Sequence, residues 1–187
     1  MISNVVIKGG NEKTVLKYFL PDQYLQSVYH LNLNDLRKKN IKGIITDLDN
    51  TLIEWDRPEA TPELLDWFRL VERQGFQVTI VSNNKKERVG KVCAQANIPF
   101  IHSARKPLRK AFIKAQKKMK LPKEQVIVIG DQVLTDIFGG NRAGFHTVLV
   151  VPVSSSDGFL TKINRKIERR VLKRLKEKGL IPWEESS

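Results

Sequence analysis

Asp47 and Asp49 lie two positions apart, directly after the apolar run Gly43-Ile44-Ile45-Thr46. Such a run is typical of a buried parallel strand, and open α/β sheets bind ligands in the crevice at the carboxyl ends of their strands. Two carboxylates there can hold a divalent cation. Asp47, which we expect to be ionised at neutral pH, can attack phosphorus, and a crowded Asp49 can protonate a leaving alkoxide. The pair therefore indicates phosphoryl transfer, although Asp-x-Asp alone is also common in solvated turns.

A serine and two asparagines follow a second strand-like segment. Residues 76–81 are mostly apolar and are followed by Ser82, Asn83 and Asn84, whose hydroxyl and amide groups can bind phosphate oxygens. Ser82 also precedes a predicted helix over residues 85–97, where a serine ordinarily serves as the cap. Capping and phosphate binding are compatible, because a helix N-terminus attracts anions.

Two more groups complete the set of candidate ligands. Lys106 precedes Pro107, which stands at a position typical of the first turn of a helix, although a lone lysine in so basic a chain is ordinarily solvated. The apolar run over residues 126–130 is followed by Asp131, and Asp136 lies five residues later. These two carboxylates supply the oxygen ligands that a hard cation needs.

The chain resembles the haloacid dehalogenase (HAD) superfamily, whose four motifs have counterparts here in the same order. The matching residues are Asp47-Leu48-Asp49-Asn50-Thr51, Ser82, Lys106 and Gly130-Asp131 with Asp136. The resemblance implies a phosphatase or phosphotransferase that depends on Mg²⁺. It also implies that Asp47 is the nucleophile and that Asp49 is the general acid and then the general base. The expected phosphate-binding residues are Thr51, Ser82, Asn83 and Lys106. The expected metal-binding residues are Asp47, Asp49, Asp131, the main protein carboxylate on the ion, and Asp136, which acts through water.

Apolar strands alternate with helical segments over residues 41–152, and this pattern predicts a doubly wound parallel sheet with four recognisable strands. Members of the HAD superfamily usually carry a cap domain after the first or the second motif. The 30 residues from Leu52 to Val81 and the 21 residues from Lys85 to Arg105 are too few for such a domain. The chain therefore resembles the capless subclass III, which has a Rossmann-like core and an open site that accepts bulky, macromolecular or membrane-borne substrates.

A closer resemblance is to the YqeG-type HAD phosphatases, whose mitochondrial relatives dephosphorylate phosphatidylglycerophosphate to phosphatidylglycerol. The matching residues are Pro21-Asp22-Gln23-Tyr24, Glu54-Trp55, Gly130-Asp131-Gln132 and Thr161-Lys162-Ile163-Asn164-Arg165. The resemblance implies an anionic phospholipid as the substrate. Two alternatives stay open: a HAD phosphatase of a soluble nucleotide, sugar or protein phosphate, and a non-catalytic module that binds RNA or a ribosome-linked partner.

Length and composition limit the organisation of the chain. With 187 residues, 41% of them hydrophobic, it suits one domain with a sizeable core and short appendages. We expect an N-terminal segment over residues 1–40 that packs on the core, a phosphatase core over residues 41–152, and a linker with a basic helix over residues 153–187. Cys93 is the single cysteine, which excludes an internal disulfide and agrees with a reducing compartment. Because no apolar run approaches about 18 residues and no signal-peptide pattern is found, we expect a cytoplasmic protein.

The net charge of +13 is concentrated in two segments. Residues 105–123 carry +9 and residues 162–178 carry +7, which leaves −3 on the rest of the chain. Both segments contain apolar residues at helical spacing, which in the first segment are Leu108, Ala111, Phe112, Ala115 and Met119. Each helix should therefore present its basic side chains on the outer face, where they are solvated or attract anionic membrane lipids or nucleic-acid phosphates. Since neither segment shows an interleaved aromatic platform or an RNA-binding motif, peripheral contact with the inner face of the membrane is favoured over nucleic acid. The oligomeric state is left open.

Overall fold

The computed structural model describes residues 12–154 and 169–177, and its centre is a sheet of six parallel strands. The strands are β1 (Gln23–Leu25), β2 (Gly43–Thr46), β3 (Gln77–Val81), β4 (Phe100–Ile101), β5 (Val126–Gly130) and β6 (His146–Val150). Their order across the sheet is β1-β6-β5-β2-β3-β4. From β2 the chain builds outward through β3 to β4, then returns to β5 and continues outward to β6. The strand order therefore reverses beside β2, the position where open α/β sheets bind ligands.

Helices cover both faces of this sheet, which confirms the predicted doubly wound fold. The helices are α1 (Glu12–Lys17), α2 (Leu33–Lys38), α3 (Pro62–Arg73), α4 (Lys86–Ala96), α5 (Arg109–Met119) and α6 (Phe138–Ala143). Successive residues of β2 face opposite sides of the sheet. Ile44 accordingly packs in the core with Phe68 of α3, whereas Ile45 packs in a second core with Phe112 of α5.

Helix α3 shows how the local sequence sets the boundaries of an element. Thr61 caps α3 by accepting a hydrogen bond from the Leu64 amide at 3.1 Å, and Pro62 occupies the first helical position. The helix ends before Gly75, whose φ of 86° is a conformation that glycine adopts without strain. Residues 54–60, which we call the flap, connect β2 to this helix and are largely exposed.

No further domain is inserted near the carboxyl edge in the part of the chain that the structure describes. Between β2 and β3 the chain forms only the flap and α3, and between β3 and α5 it forms α4 and the two-residue strand β4. This arrangement is compatible with the capless subclass.

The prediction of four strands over residues 41–152 was too low by one, because β4 lacks an apolar signal of ordinary length, and the sixth strand of the sheet, β1, lies before that range. Strand β4 has two residues, and β1 is a short edge strand whose middle residue, Tyr24, is exposed. Strand β1 joins the sheet through its pairing with β6, and Phe19 just before it stacks on Phe138 with the ring centroids 4.3 Å apart. The division of the chain at residues 40 and 152 stays a prediction.

The basic segment at residues 105–123 forms a helix later than predicted. Ala111, Phe112, Ala115 and Met119 are buried on one face of α5, as their spacing indicates. We expected Pro107 in the first turn of this helix and Leu108 on its apolar face. Both predictions were wrong, because α5 begins at Arg109 and Leu108 is 56% exposed. The chain forms a separate turn there, in which the Leu108 amide donates to the Arg105 carbonyl at 3.0 Å.

The C-terminal basic segment is described only over residues 169–177, which are helical. Leu175 is fully buried and Leu172 packs against Val133, Ile137 and Leu149. The rest of the predicted linker and helix lies outside the described residues. None of the described helices has both the length and the apolar character that crossing a membrane requires.

Candidate active site at the carboxyl edge of the sheet

The register of the three central strands brings the candidate residues to one edge. Thr46 of β2 pairs with Ile80 of β3 and with Ile129 of β5, so the three strands end close together. The segments that leave these ends begin at Asp47, at Ser82 and at Asp131. Sheet pairing therefore brings together residues that lie up to 84 positions apart in the sequence.

A buried ammonium group lies between two of the carboxylates. The Lys106 Nζ atom is 2.8 Å from Asp47 Oδ1 and 2.6 Å from Asp136 Oδ1, and its side chain is 2% exposed. The backbone of Lys106 is fixed by Asn83, whose Oδ1 accepts from the Lys106 amide at 2.7 Å and whose Nδ2 donates to the Lys106 carbonyl at 3.3 Å. Asn83 therefore positions the lysine in this structure, although sequence reasoning assigned it to phosphate.

Three carboxylates form a group that could hold a metal ion. Asp47, Asp131 and Asp136 are buried, and each offers an oxygen within 4.8 Å of the others. Thr51, a predicted phosphate ligand, donates its hydroxyl to Asp131 Oδ1 at 2.8 Å, and the Gln132 amide donates to Asp136 Oδ2 at 3.2 Å. Oxygen ligands of this kind suit a divalent cation.

The absence of a side chain at Gly130 makes this close grouping possible. A Cβ atom built at Gly130 would lie 2.3 Å from the Asp136 side chain, which is closer than non-bonded carbon atoms approach. The glycine at the end of β5 thus lets the Asp136 carboxylate pack directly on the strand.

Asp49 lies outside this group of three and has different partners. Its Oδ2 atom accepts from the Ser82 hydroxyl and from Asn84 Nδ2, both at 3.3 Å. Its Oδ1 atom is 3.1 Å from the Arg88 guanidinium, although the two groups are not aligned as a hydrogen bond. Asp49 is 18% exposed at its side chain and is thus more accessible than Asp47, at 6%.

Burial and neighbouring charges shift the pKa values of Asp47 and Lys106. Burial raises the pKa of Asp47, and the carboxylates of Asp136, Asp131 and Asp49 raise it further, whereas Lys106 lowers it. Burial alone would lower the pKa of Lys106, but the Asp136 and Asp47 carboxylates outweigh that effect and raise it. The lysine is therefore charged. Burial therefore opposes the ionisation that the sequence led us to expect of Asp47, because sequence alone does not show how deeply the carboxylate is buried.

Sequence reasoning missed Arg88 and the role of Asn84 at Asp49. Arg88 belongs to the first turn of α4, and a cation is unfavourable there because the N-terminal end of a helix is itself positive. An arginine at such a position, soon after Ser82, is a signal that could have marked it for attention.

Comparison with known proteins places this geometry in a family. A family model described as HAD-hydrolase-like matches residues 103–177. The probable phosphatase YqeG of Bacillus subtilis (strain 168) is 57% identical over 169 residues, which cover 90% of this chain and 98% of that protein.

Two more distant proteins share the sequence pattern or the fold. Phosphatidylglycerophosphate phosphatase 1 of Arabidopsis thaliana, a chloroplastic and mitochondrial protein, is 29% identical over 187 aligned residues; the match covers 91% of this chain and 52% of that protein. The crystal structure of a candidate beta-phosphoglucomutase from Thermotoga maritima aligns with a TM-score of 0.52 at 12% identity, covering 73% of this chain and 99% of that one. The structural likeness shows the fold, and the B. subtilis protein shows the family. This chain therefore belongs to the YqeG-type phosphatases of the HAD superfamily and is a phosphoric monoester hydrolase.

Proposed function

We propose that this chain is a Mg²⁺-dependent phosphatase that forms an aspartyl-phosphate at Asp47 and acts on an anionic phospholipid, phosphatidylglycerophosphate. The observation that carries the chemical part is the buried arrangement of Asp47, Lys106, Asp131 and Asp136. A nucleophilic carboxylate, a fixed cation and two further carboxylates are the groups that phosphoryl transfer through an aspartyl ester requires.

The charge of the site fits a divalent cation. Asp47, Asp131, Asp136 and the nearby Asp49 face two cationic side chains, Lys106 and Arg88, which leaves a formal charge of −2 when all six groups are ionised. Asp47, Asp131 and Asp136 would hold the ion, and hard carboxylate oxygens in a compact group suit Mg²⁺. When bound, the ion neutralises charge on the transferring phosphoryl group and lowers the pKa of the carboxylates around it.

In the first half of the reaction, one carboxylate oxygen of Asp47 attacks phosphorus and forms an oxygen–phosphorus bond. The bond from phosphorus to the ester oxygen breaks, and this oxygen receives a proton from Asp49, so that a neutral alcohol leaves. Lys106 keeps Asp47 in place and balances negative charge during the transfer.

The second half regenerates the enzyme. A water molecule attacks the phosphorus of the aspartyl-phosphate and gives a proton to the Asp49 carboxylate. The bond between phosphorus and Asp47 then breaks, which releases inorganic phosphate. Asp49 suits both steps because its carboxyl group is partly exposed at the mouth of the site while Asp47 is buried.

The proposed phosphate contacts come from hydroxyl groups at the carboxyl edge and from Lys106. Ser82 and Thr51 each hold a carboxylate through their hydroxyl groups, and either hydroxyl can turn toward a phosphoryl oxygen when substrate is bound. Asn83 contributes by fixing the backbone of Lys106.

The choice of a lipid substrate is supported by the relatives and by the surface. The name of the A. thaliana relative gives phosphatidylglycerophosphate as its substrate. Apolar side chains are exposed at Trp55 in the flap, whose carbonyl Arg88 contacts, and at Leu108, two residues after Lys106 in the sequence. Basic side chains cover the outer face of α5 and attract anionic lipid by roughly 1 kcal/mol each. The basic face alone would also suit nucleic-acid phosphates, and it is the exposed apolar side chains that favour peripheral contact with a membrane.

A comparison of substrates tests the proposal. Phosphate release is measured with Mg²⁺ from phosphatidylglycerophosphate in mixed micelles and from soluble nucleotide and sugar phosphates, for the natural chain and for Asp47→Asn. We expect fast, Asp47-dependent release from the lipid. Release from the soluble esters alone would support phosphatase activity but refute the lipid substrate. Equal release by the Asp47→Asn chain would refute the role of Asp47 as the nucleophile.

A further inference from the structure

Arg88 connects the proposed general acid to the flap. Its Nη2 atom is 3.1 Å from Asp49 Oδ1 and donates to the Glu54 carbonyl at 3.0 Å. Its Nε atom donates to the Trp55 carbonyl at 3.2 Å. One guanidinium thus contacts a side chain next to the nucleophile and two backbone carbonyls of the flap, from a helix that belongs to neither segment.

The contact between Arg88 and Asp49 differs from the other contacts of this carboxylate. Ser82 and Asn84 hold the Oδ2 atom through neutral donors, whereas Arg88 approaches Oδ1 with a positive charge. The charged contact is not aligned as a hydrogen bond, so it attracts the carboxylate without locking its orientation. Asp49 can therefore rotate toward a leaving group while it stays beside the guanidinium.

The arginine side chain is not satisfied by the fold alone. Its Nη1 atom is buried and has no hydrogen-bond partner among the described residues, and the side chain is 16% exposed. Buried nitrogens are nearly always paired, so an unpaired one next to a candidate active site indicates a functional constraint. By contrast, Arg69 on α3 is 62% exposed and pairs with Asp66 on its own helix.

We propose that Arg88 is a positioning residue that couples Asp49 to the flap, so that the conformation of the flap sets where the proton donor stands. This inference rests on the proposed function, in which Asp49 protonates the leaving oxygen. The Arg88 guanidinium touches neither phosphorus nor the leaving group and acts through Asp49. Its loss should therefore affect only those reactions that need a well-placed proton donor.

Leaving groups of different acidity separate this role from a general structural one. Release of nitrophenol from 4-nitrophenyl phosphate needs little protonation, whereas release of an alcohol from an alkyl phosphate needs a proton donor. The rate of release is measured in a single turnover with enzyme in excess and Mg²⁺ present, because this rate reports the first phosphoryl transfer alone. The full-length chain is used with Arg88→Ala, Arg88→Lys, Asp49→Asn, the double variant Asp49→Asn/Arg88→Ala, and Arg69→Ala as the matched control.

We expect Arg88→Ala to slow release from the alkyl ester about 10- to 100-fold, a part of what a general acid contributes, and release from the nitrophenyl ester less than about 3-fold. In the Asp49→Asn background the same change should add less than about 3-fold, because residues that act through one another are not additive. Arg69→Ala should leave both rates unchanged. If Arg88→Ala does not fold, Arg88→Lys decides the test. An ammonium group cannot reach all three acceptors, so the rate for the alkyl ester should still fall relative to the rate for the nitrophenyl ester.

The inference would be overturned if Arg88→Ala slows release from both esters equally or slows neither. It would also be overturned if the effects of Arg88→Ala and Asp49→Asn are fully additive. If the natural chain releases both alcohols in an Asp47-dependent way and Arg88→Ala does not change the ratio, only the role of Arg88 is refuted. Phosphatidylglycerophosphate in mixed micelles serves as the alkyl phosphate. If the natural chain shows no Asp47-dependent release from either this lipid or the nitrophenyl ester, the proposed function is refuted and this inference falls with it.

Discussion

The buried ammonium group of Lys106 is expected to contribute far more to stability than an exposed lysine. Lys106→Met keeps most of the side-chain volume and removes the charge that lies 2.8 Å from Asp47 and 2.6 Å from Asp136. Both carboxylates then stay buried without this counter-ion. Breaking a buried ion pair by removing one partner typically destabilises a protein by about 3–5 kcal/mol. Because domains of this size unfold with about 5–15 kcal/mol, the variant should lose a large share of its stability.

Urea unfolding followed by circular dichroism measures this loss, at about neutral pH with a chelator present. Uptake of a proton by Asp47 would soften the effect, so we expect a value near the lower end of the range, about 3 kcal/mol. Lys110→Met is the matched control, because Lys110 is exposed on α5, the helix that follows Lys106, and its replacement should change stability by less than about 0.5 kcal/mol.

Addition of Mg²⁺ should then recover part of the loss. The ion binds the folded chain, and at about 100 times its dissociation constant it stabilises by about 2.7 kcal/mol. Lys106→Met should gain at least as much as the natural chain, because the positive charge of the ion replaces that of the lysine. If the unfolding free energies of Lys106→Met and Lys110→Met in the chelator differ by less than about 1 kcal/mol, the buried ion pair is refuted.

Three other predictions follow from the same site and its surroundings. Since burial raises the pKa of Asp47 above its unfolded value of about 3.9, its contribution to stability is fully present below that pH and is lost as pH rises through the folded value. In a chelator, the stability of Asp47→Asn relative to the natural chain should therefore increase from about pH 4 to pH 8 in urea titrations; a flat difference would contradict the shift. Gly130→Ala places a Cβ atom 2.3 Å from the Asp136 side chain and should remove both Mg²⁺-dependent stabilisation and phosphatase activity. The control is Gly90→Ala, whose Cβ atom would lie 3.6 Å from its nearest neighbour; it should keep both properties and raise the melting temperature. Burial raises the pKa of Cys93 to about 12, so a thiol reagent should label the native chain no faster than the chain unfolds, and rapid native labelling would contradict its burial.

The central strands and the order of the site residues could be predicted because the signals are local. The residues of β2 and β5 are all buried, so each strand is an almost uninterrupted apolar run, and the polar residue that follows marks the carboxyl edge. Parallel pairing then requires Asp47 and Asp131 to lie close together, whatever the loops do.

The parts that could not be predicted depend on contacts between distant segments. The role of Arg88 becomes visible only when the flap folds back over α4, 34 residues away from the Glu54 carbonyl that it contacts. Asn83 was assigned to phosphate because of its place after β3, yet it holds the backbone of Lys106, 23 residues later. Neither contact leaves a periodic pattern in the sequence.

The depth of burial is the other quantity that the sequence did not supply. Asp47 follows an apolar strand and could equally have been the first solvated residue of a loop. In the structure the Asp47 side chain is only 6% exposed and contacts Lys106, and Asp136 packs against Gly130. This burial is what raises the pKa of Asp47 and makes a bound cation important for its ionisation.

Detection of the aspartyl-phosphate tests the proposed mechanism most directly. Asp49→Asn, which slows hydrolysis of the intermediate, is mixed with 4-nitrophenyl phosphate and Mg²⁺, quenched in acid, digested and analysed by mass spectrometry. We expect the mass of one phosphoryl group on the peptide that contains Asp47, removed by hydroxylamine and absent when Asp47 is also changed to Asn. A phosphoryl group on another residue, or continued turnover by the Asp47→Asn chain, would contradict the assignment of Asp47 as the nucleophile.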